Sequence, residues 1–208
     1  MTTQTPEVDV PSPIDLCDPI DAREWERTAQ ARPGRMQMFQ AFVGQLQNIA
    51  KPNPKILELG SGPGFLAEFL LDALPDLQLT LLDFSSVMHE LARARLGSRA
   101  HQVRFLHSSF KSPDWYQGLD KFDAVVTNQA VHELRHKKYA EALHSRVATL
   151  LNPESPYLVC DHFFGEGGQS NDQLYMSVAE QRQALLNAGF RSVEQVQKIG
   201  TLVMHRAT

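Results

Sequence analysis

The sequence predicts a doubly wound α/β fold with a mostly parallel sheet, and two observations carry that expectation. From residue 55 onward, apolar strand-like runs alternate with helical patterns, the arrangement of a parallel sheet covered by helices on both faces. Near the end the alternation stops, where residues 190–197 and 199–205 both read as strands separated by a short turn. A parallel crossover needs about a dozen residues, so this last pair must form an antiparallel hairpin. Five parallel strands closed by a hairpin make seven.

Each element has its own signal. Residues 1–20 hold four of the twelve prolines with Thr, Ser and Asp between them, which predicts an arm that is loose at its start. The remainder, 21–208, reads as one domain, with helical residues 21–50 leading into a core over 55–205. Two helical patterns follow Asp21, broken at Pro33-Gly34, and the second sets Met36, Phe39, Val43, Leu46 and Ile49 at three- and four-residue steps. Lys51-Pro52-Asn53-Pro54 stops it. Lys55–Gly60 is the first strand, and Pro63–Leu74 a helix with proline at its first position, where a missing N–H is harmless. Leu77–Asp83 is a strand, Ser86–Leu96 a helix stopped by Gly97, and Gln102–His107 a third strand. A loop-rich connection through Pro113 and Gly118 leads to Phe122–Asn128. The next helix ends near Leu151 with Tyr139, Leu143, Val147 and Leu150 on one face, and Tyr157–Phe163 is the fifth strand. The polar loop Gly165–Asp172 then precedes a helix opened by the capping box Ser177-Val-Ala-Glu180 and closed at Gly189.

Composition narrows the function classes. With 42% hydrophobic and 21% charged residues, the 208-residue chain has the makeup of an ordinary globular protein. A net charge of −4 offers no basic field for nucleic acid, and no apolar run approaches the roughly 18 residues that span a bilayer. The stretch before Arg23, the first basic residue, is acidic and lacks the positive start of a secretory signal. Two distant cysteines, Cys17 and Cys160, suit neither a zinc site nor a disulfide framework, and no His/Asp/Glu cluster has metal-ligand spacing. A soluble, cytoplasmic protein is expected.

The chemistry concentrates where the first strand ends, in Glu58-Leu-Gly60-Ser-Gly62-Pro-Gly64-Phe65. Glycines allow close backbone approach, and the following helix directs free N–H groups at a ligand. Asp83 ends the second strand 19 residues after Gly64 and can accept both hydroxyls of an adenosine ribose, or cap the helix that follows. A dinucleotide fingerprint would carry glycine where Phe65 stands, and Glu58 beside the loop disfavours a pyrophosphate while suiting an ammonium.

Ile56–Phe65 resembles motif I of class I S-adenosylmethionine-dependent methyltransferases, and Asp83-Phe-Ser-Ser-Val-Met88 resembles their motif II. Phe122-Asp-Ala-Val-Val-Thr-Asn-Gln-Ala-Val-His-Glu-Leu134, Leu150-Leu-Asn-Pro and Asn187-Ala-Gly-Phe190 are similar to further blocks of the small-molecule branch of that family. The resemblance implies a Rossmann-like seven-stranded sheet of order 3-2-1-4-5-7-6 with strand seven reversed. It implies S-adenosylmethionine as cofactor, with Glu58, Gly60, Ser61, Gly62 and Gly64 at the methionine portion, Asp83 at the ribose and Phe84 and Met88 at the adenine. Ser109-Phe110 stands where an acidic residue usually meets the adenine amino group, so that contact lacks charge assistance. Asn128 at the end of the fourth strand completes the expected cofactor set.

An acceptor must then be oriented and, where needed, deprotonated. His132 and His162 follow strands four and five and are the candidate bases, each with a structural alternative. The resemblance implies that the N-terminal helical segment, residues 21–50, folds over the pocket as a lid. Trp25 on it and Arg135 in the basic run Arg135-His-Lys-Lys138 are the candidate acceptor contacts, against packing and a solvated helix face respectively. Rival readings are an NAD-dependent oxidoreductase, an RNA or protein methyltransferase using residues 135–138, and a non-catalytic S-adenosylmethionine-binding protein.

Overall fold

The computed structural model describes residues 8–29 and 31–208. Pro19–Ala29 (α1) and Arg35–Leu46 (α2) precede the alternating core. Its elements are Lys55–Leu59 (β1), Phe65–Ala73 (α3), Gln78–Asp83 (β2), Ser86–Leu96 (α4), Val103–His107 (β3), Ala124–Asn128 (β4), Ala140–Leu150 (α5), Tyr157–His162 (β5), Val178–Asn187 (α6), Val193–Ile199 (β6) and Leu202–Ala207 (β7). One sheet holds all seven strands in the order β3-β2-β1-β4-β5-β7-β6. β1 pairs in parallel with β2 and β4, whereas β7 runs antiparallel to both β5 and β6.

Alternation along the central strands fills both faces. Leu57, Leu59, Val125, Tyr157 and Val159 pack with α5 and α6 residues such as Leu143, Val147 and Leu185. Ile56, Leu79, Leu81, Val126 and Leu158 pack instead with Phe39, Phe42, Leu66 and Leu70 from α2 and α3. Each such buried side chain contributes roughly 2 kcal/mol. Glu58 follows Ile56 on this second face, beyond the last layer of apolar side chains, and is buried.

Several boundaries differ from those the sequence predicts. α3 starts at Phe65 because the Gly64 N–H bonds to the Ser61 carbonyl, which places Pro63 inside a turn rather than in the helix. α2 buries Met38, Phe39, Phe42 and Leu46, leaving Met36 exposed, so the inward stripe is rotated from the expected one. Tyr139 is exposed, precedes α5 and donates to Asp9. The closing hairpin turns at Gly200-Thr201, where Gly200 supplies a positive φ of 54°, so both strands lie two or three residues later than expected. Phe190 instead stacks on Tyr157 at 5.7 Å.

The N-terminal segment is tied down from Asp9 onward. Arg135 donates to the carbonyls of Val10 (2.9 Å) and Pro11 (2.7 Å), and Ser85 donates to that of Leu16. The expected looseness of the first residues falls outside the described part.

Candidate active site

A cleft of about 750 Å³, counted to its open mouth, lies over the C-terminal ends of β1, β2 and β4. This is where open α/β sheets bind ligands. Its wall includes Glu58, Gly60, Ser61, Gly62, Asp83, Phe84, Met88, Phe110 and Asn128, nine of the eleven residues expected at the cofactor, together with His132 and Trp25.

The glycine loop is built around close contacts. A side chain at Gly60 would place its Cβ 2.4 Å from Ala130 Cβ, whereas one at Gly62 would meet no atom within 4 Å and would enter the cleft at a φ of 53°. Asp83 Oδ2 accepts the Gly62 N–H at 2.8 Å and Oδ1 accepts the Ser85 N–H at 2.9 Å. The carboxylate therefore fixes the loop and the start of α4, while its remaining lone pairs stay available. Burial pushes its carboxyl group up, against the lowering effect of those N–H bonds.

The polar atoms without partners define what the cleft can hold. Glu58 Oε2, Ser61 Oγ and Asn128 Oδ1 are buried without a hydrogen bond. Burial, and then the neighbouring Asp83 charge, push Glu58 up to about 8. An ammonium group reverses that shift by pairing with the carboxylate, so the amino-acid end of S-adenosylmethionine fits this donor-poor wall. Asp83 suits its ribose, and Phe84, Met88 and Phe110 offer apolar surface for its adenine.

His132, at the opposite side of the chemistry, is held from β5. Its backbone N–H and its Nδ1 both meet the Asp161 carboxylate, at 2.9 and 2.6 Å, while Nε2 lies 3.4 Å from Glu133 Oε1. Burial opposes the charged imidazole, but the Asp161 charge and hydrogen bond, with help from Glu133, raise His132 to about 10. The sequence offers His132 as a candidate base, and the carboxylate that raises it lies 29 residues away in the chain. His162 lines an adjoining smaller cavity with Tyr175 and Asp161, and His132 forms part of both walls. Its Nδ1 lies 2.8 Å from Thr201 Oγ1, and burial holds its pKa below the usual value.

Four expected residues stand elsewhere. Gly64 packs against Ala92, which an added Cβ would meet at 3.0 Å, and does not line the cleft. Ser109 and Arg135 line a neighbouring cavity, and the Arg135 guanidinium is occupied by the carbonyls of the N-terminal segment rather than open to an acceptor. His162 is confined to the adjoining cavity. Sequence reasoning missed Leu16, Arg32, Arg35, Phe39, Gln129 and Glu133 in the cleft wall, and Asp161 behind it. Gln129 has a left-handed φ of 57° just after β4, the kind of backbone strain that clusters at functional sites.

Comparison with known proteins agrees with this geometry. A family model described as a methyltransferase domain matches residues 56–154. The malonyl-[acyl-carrier protein] O-methyltransferase of Paenibacillus sp. is 28% identical over 155 residues, covering 67% of this chain and 56% of that protein. Its counterpart from Geobacter sulfurreducens is 29% identical over 154 residues, covering 67% and 57%. The chain thus spans little more than half the length of these curated relatives. Among solved structures, the DhpI–SAH complex superposes with a TM-score of 0.65 at 20% identity, covering 91% of this chain and 94% of that one. An O-methyltransferase family protein from Burkholderia thailandensis gives 0.67 at 16% identity, covering 82% and 56%. Residues 56–154 thus match a methyltransferase domain, and the sheet order, the glycine loop and the strand-end aspartate agree with the fold of class I, Rossmann-like S-adenosylmethionine-dependent methyltransferases.

Proposed function

We propose that the protein transfers a methyl group from S-adenosylmethionine to an oxygen or nitrogen of a small-molecule acceptor. The observation that carries this reading is the buried, partnerless Glu58 carboxylate in a cleft shared with Asp83 and with His132, which Asp161 holds from behind the wall. Bound S-adenosylmethionine supplies an electrophilic sulfonium methyl group, and in-line displacement releases S-adenosylhomocysteine.

The chain's own contribution is alignment and charge. Glu58, Ser61 and the glycine loop hold the amino-acid end, Asp83 the ribose, and Phe84, Met88 and Phe110 the adenine. Paired with Asp161, His132 positions an acceptor oxygen that arrives ionised, and this contributes alignment rather than charge stabilisation because the oxygen loses its negative charge as the methyl group arrives. Methylation at oxygen is the reaction named for the malonyl-[acyl-carrier protein] relatives, and it suits such a donor. His162, held below the usual histidine value by burial, lines the adjoining cavity that shares His132 with the cleft, and accepts a proton only from an acceptor that reaches into that cavity. Trp25, with the rest of α1, α2 and the segment before them, forms a cover over a single core domain. The free cysteines Cys17 and Cys160 support a cytoplasmic setting, and no helix among the described residues is long and apolar enough to cross a membrane.

Incubating the protein with methyl-labelled S-adenosylmethionine and a metabolite extract is expected to give a labelled small molecule. S-adenosylhomocysteine, but not NADH, should raise the melting temperature. With an acceptor in hand, His132→Ala should lower turnover by about 10² through lost alignment while leaving cofactor affinity nearly intact. Stabilisation by NADH alone overturns the cofactor assignment, and cofactor binding without any labelled product overturns the enzymatic one.

A further inference from the structure

Arg35 is a buried cation without a counter-charge. It is 5% exposed, its Nε has no acceptor, and no described carboxylate forms an ion pair with it. Its guanidinium lies over the rings of Phe65 and Phe39, at 5.1 and 5.8 Å, and lines the cleft. Its neighbour Arg95 shows the contrast, pairing with Glu26 at 2.6 Å and with Glu68 at 3.4 Å. An isolated guanidinium taken out of water is costly, and such groups are ordinarily paired.

The surroundings add to the positive potential. Arg35 is the first residue of α2, where the helix dipole is itself positive, and the N-cap Gly34 supplies no side-chain acceptor to the first turn. Arg32 lines the same cleft. Burial, then the charges of Arg32 and Arg95, press the Arg35 pKa down to about 10. The wall that holds Glu58 lacks a cation in the same way that this one lacks an anion. Unmet groups of opposite sign in one cleft call for a ligand that bears both, or for two ligands that bear one each.

We propose that Arg35, with Arg32 and the first turn of α2, forms a carboxylate-binding subsite of the cleft. The planar guanidinium offers paired N–H donors to both carboxylate oxygens, and the Phe65 and Phe39 rings hold its plane in place. Two carboxylates could occupy the subsite, that of the amino-acid end of S-adenosylmethionine and that of an acidic acceptor. The proposal rests on the cofactor reading above, and the experiment separates the two.

Calorimetry compares wild type, Arg35→Met and Arg35→Lys for S-adenosylhomocysteine and for 5′-methylthioadenosine, which lacks the amino-acid end. If the cofactor supplies the carboxylate, Arg35→Met weakens S-adenosylhomocysteine by about tenfold or more and leaves methylthioadenosine unchanged, and Arg35→Lys restores part of the loss. If the acceptor supplies it, S-adenosylhomocysteine affinity is unaltered. Malonate then raises the melting temperature of the S-adenosylhomocysteine complex in wild type and not in Arg35→Met. In either case unliganded Arg35→Met melts close to wild type, because relief of a buried charge without an anionic partner offsets the lost contacts to the Phe65 and Phe39 rings. Equal responses of wild type and Arg35→Met to both S-adenosylhomocysteine and malonate, with methylthioadenosine still bound, overturn the subsite. So does a variant that melts lower and loses both nucleosides, which makes Arg35 a packing residue. Failure of wild type to bind either nucleoside overturns the cofactor reading itself.

Discussion

At Asp83 one carboxylate serves two partners that substitution can separate. Its oxygens already accept the N–H groups of Gly62 and Ser85, and the lone pairs left over face the cleft. Asp83→Ala is expected to weaken S-adenosylmethionine binding by about ten- to over a hundredfold through loss of charge-assisted bonds to the ribose. It should also lower stability by about 1 to 3 kcal/mol, because two buried donors lose their acceptor. Calorimetry that finds unchanged affinity in a variant with reduced stability would leave Asp83 only its loop-holding role. The position of this residue was legible in the sequence because it is set locally: a strand, a glycine loop and a second strand end fix where it must sit. Arg35 and Asp161 were not legible. Each takes its character from packing against segments remote in the chain, and a neighbour's charge carries no mark in the one-dimensional pattern. His132 shows the cost of that gap, since its position was foreseen and its charge state was not.

Among the elements, the segment from Asp9 to Leu16 has the least secondary structure and several specific anchors. The Arg135 guanidinium holds Val10 and Pro11, Tyr139 holds Asp9, and Ser85 holds Leu16, whose side chain reaches the cleft. The basic run, whose Arg135 the sequence offers as an acceptor contact or as part of a solvated helix face, thus contains a clasp, because Arg135 turns inward at a left-handed φ of 68°. Arg135→Met should release the segment and speed S-adenosylhomocysteine dissociation on the order of five- to tenfold, as read by stopped-flow fluorescence. Equal dissociation rates in the two proteins would mean that the segment does not cover the bound nucleoside.

For the molecule as a whole, the His132–Asp161 pair sets a direction for the dependence of stability on pH. In the unfolded chain His132 loses its proton around the ordinary histidine value of about 6.5, whereas in the fold it keeps it to about 10. Its contribution is full below the first value, declines between the two and is gone above the second. Asp161, held below its usual range by His132 against the effect of burial, contributes above the unfolded carboxylate value and loses that contribution on acidification. The melting temperature should therefore fall from pH 6.5 towards 10, and His132→Asn should flatten that fall. Parallel curves for the two proteins would refute the charged pair. The sheet around this pair was readable in outline, since alternating strands and the short final turn leave few topologies. Its hairpin register was not, because one positive-φ glycine decided it.

The reversal of β7 has a practical consequence. Ala207 pairs with Tyr157, where β5 begins, while the cleft sits where β1, β2 and β4 finish. Thr208 is stitched to Ser192 at that far edge. Immobilising the protein on a sensor surface through residue 208 would leave the mouth turned towards the flowing analyte.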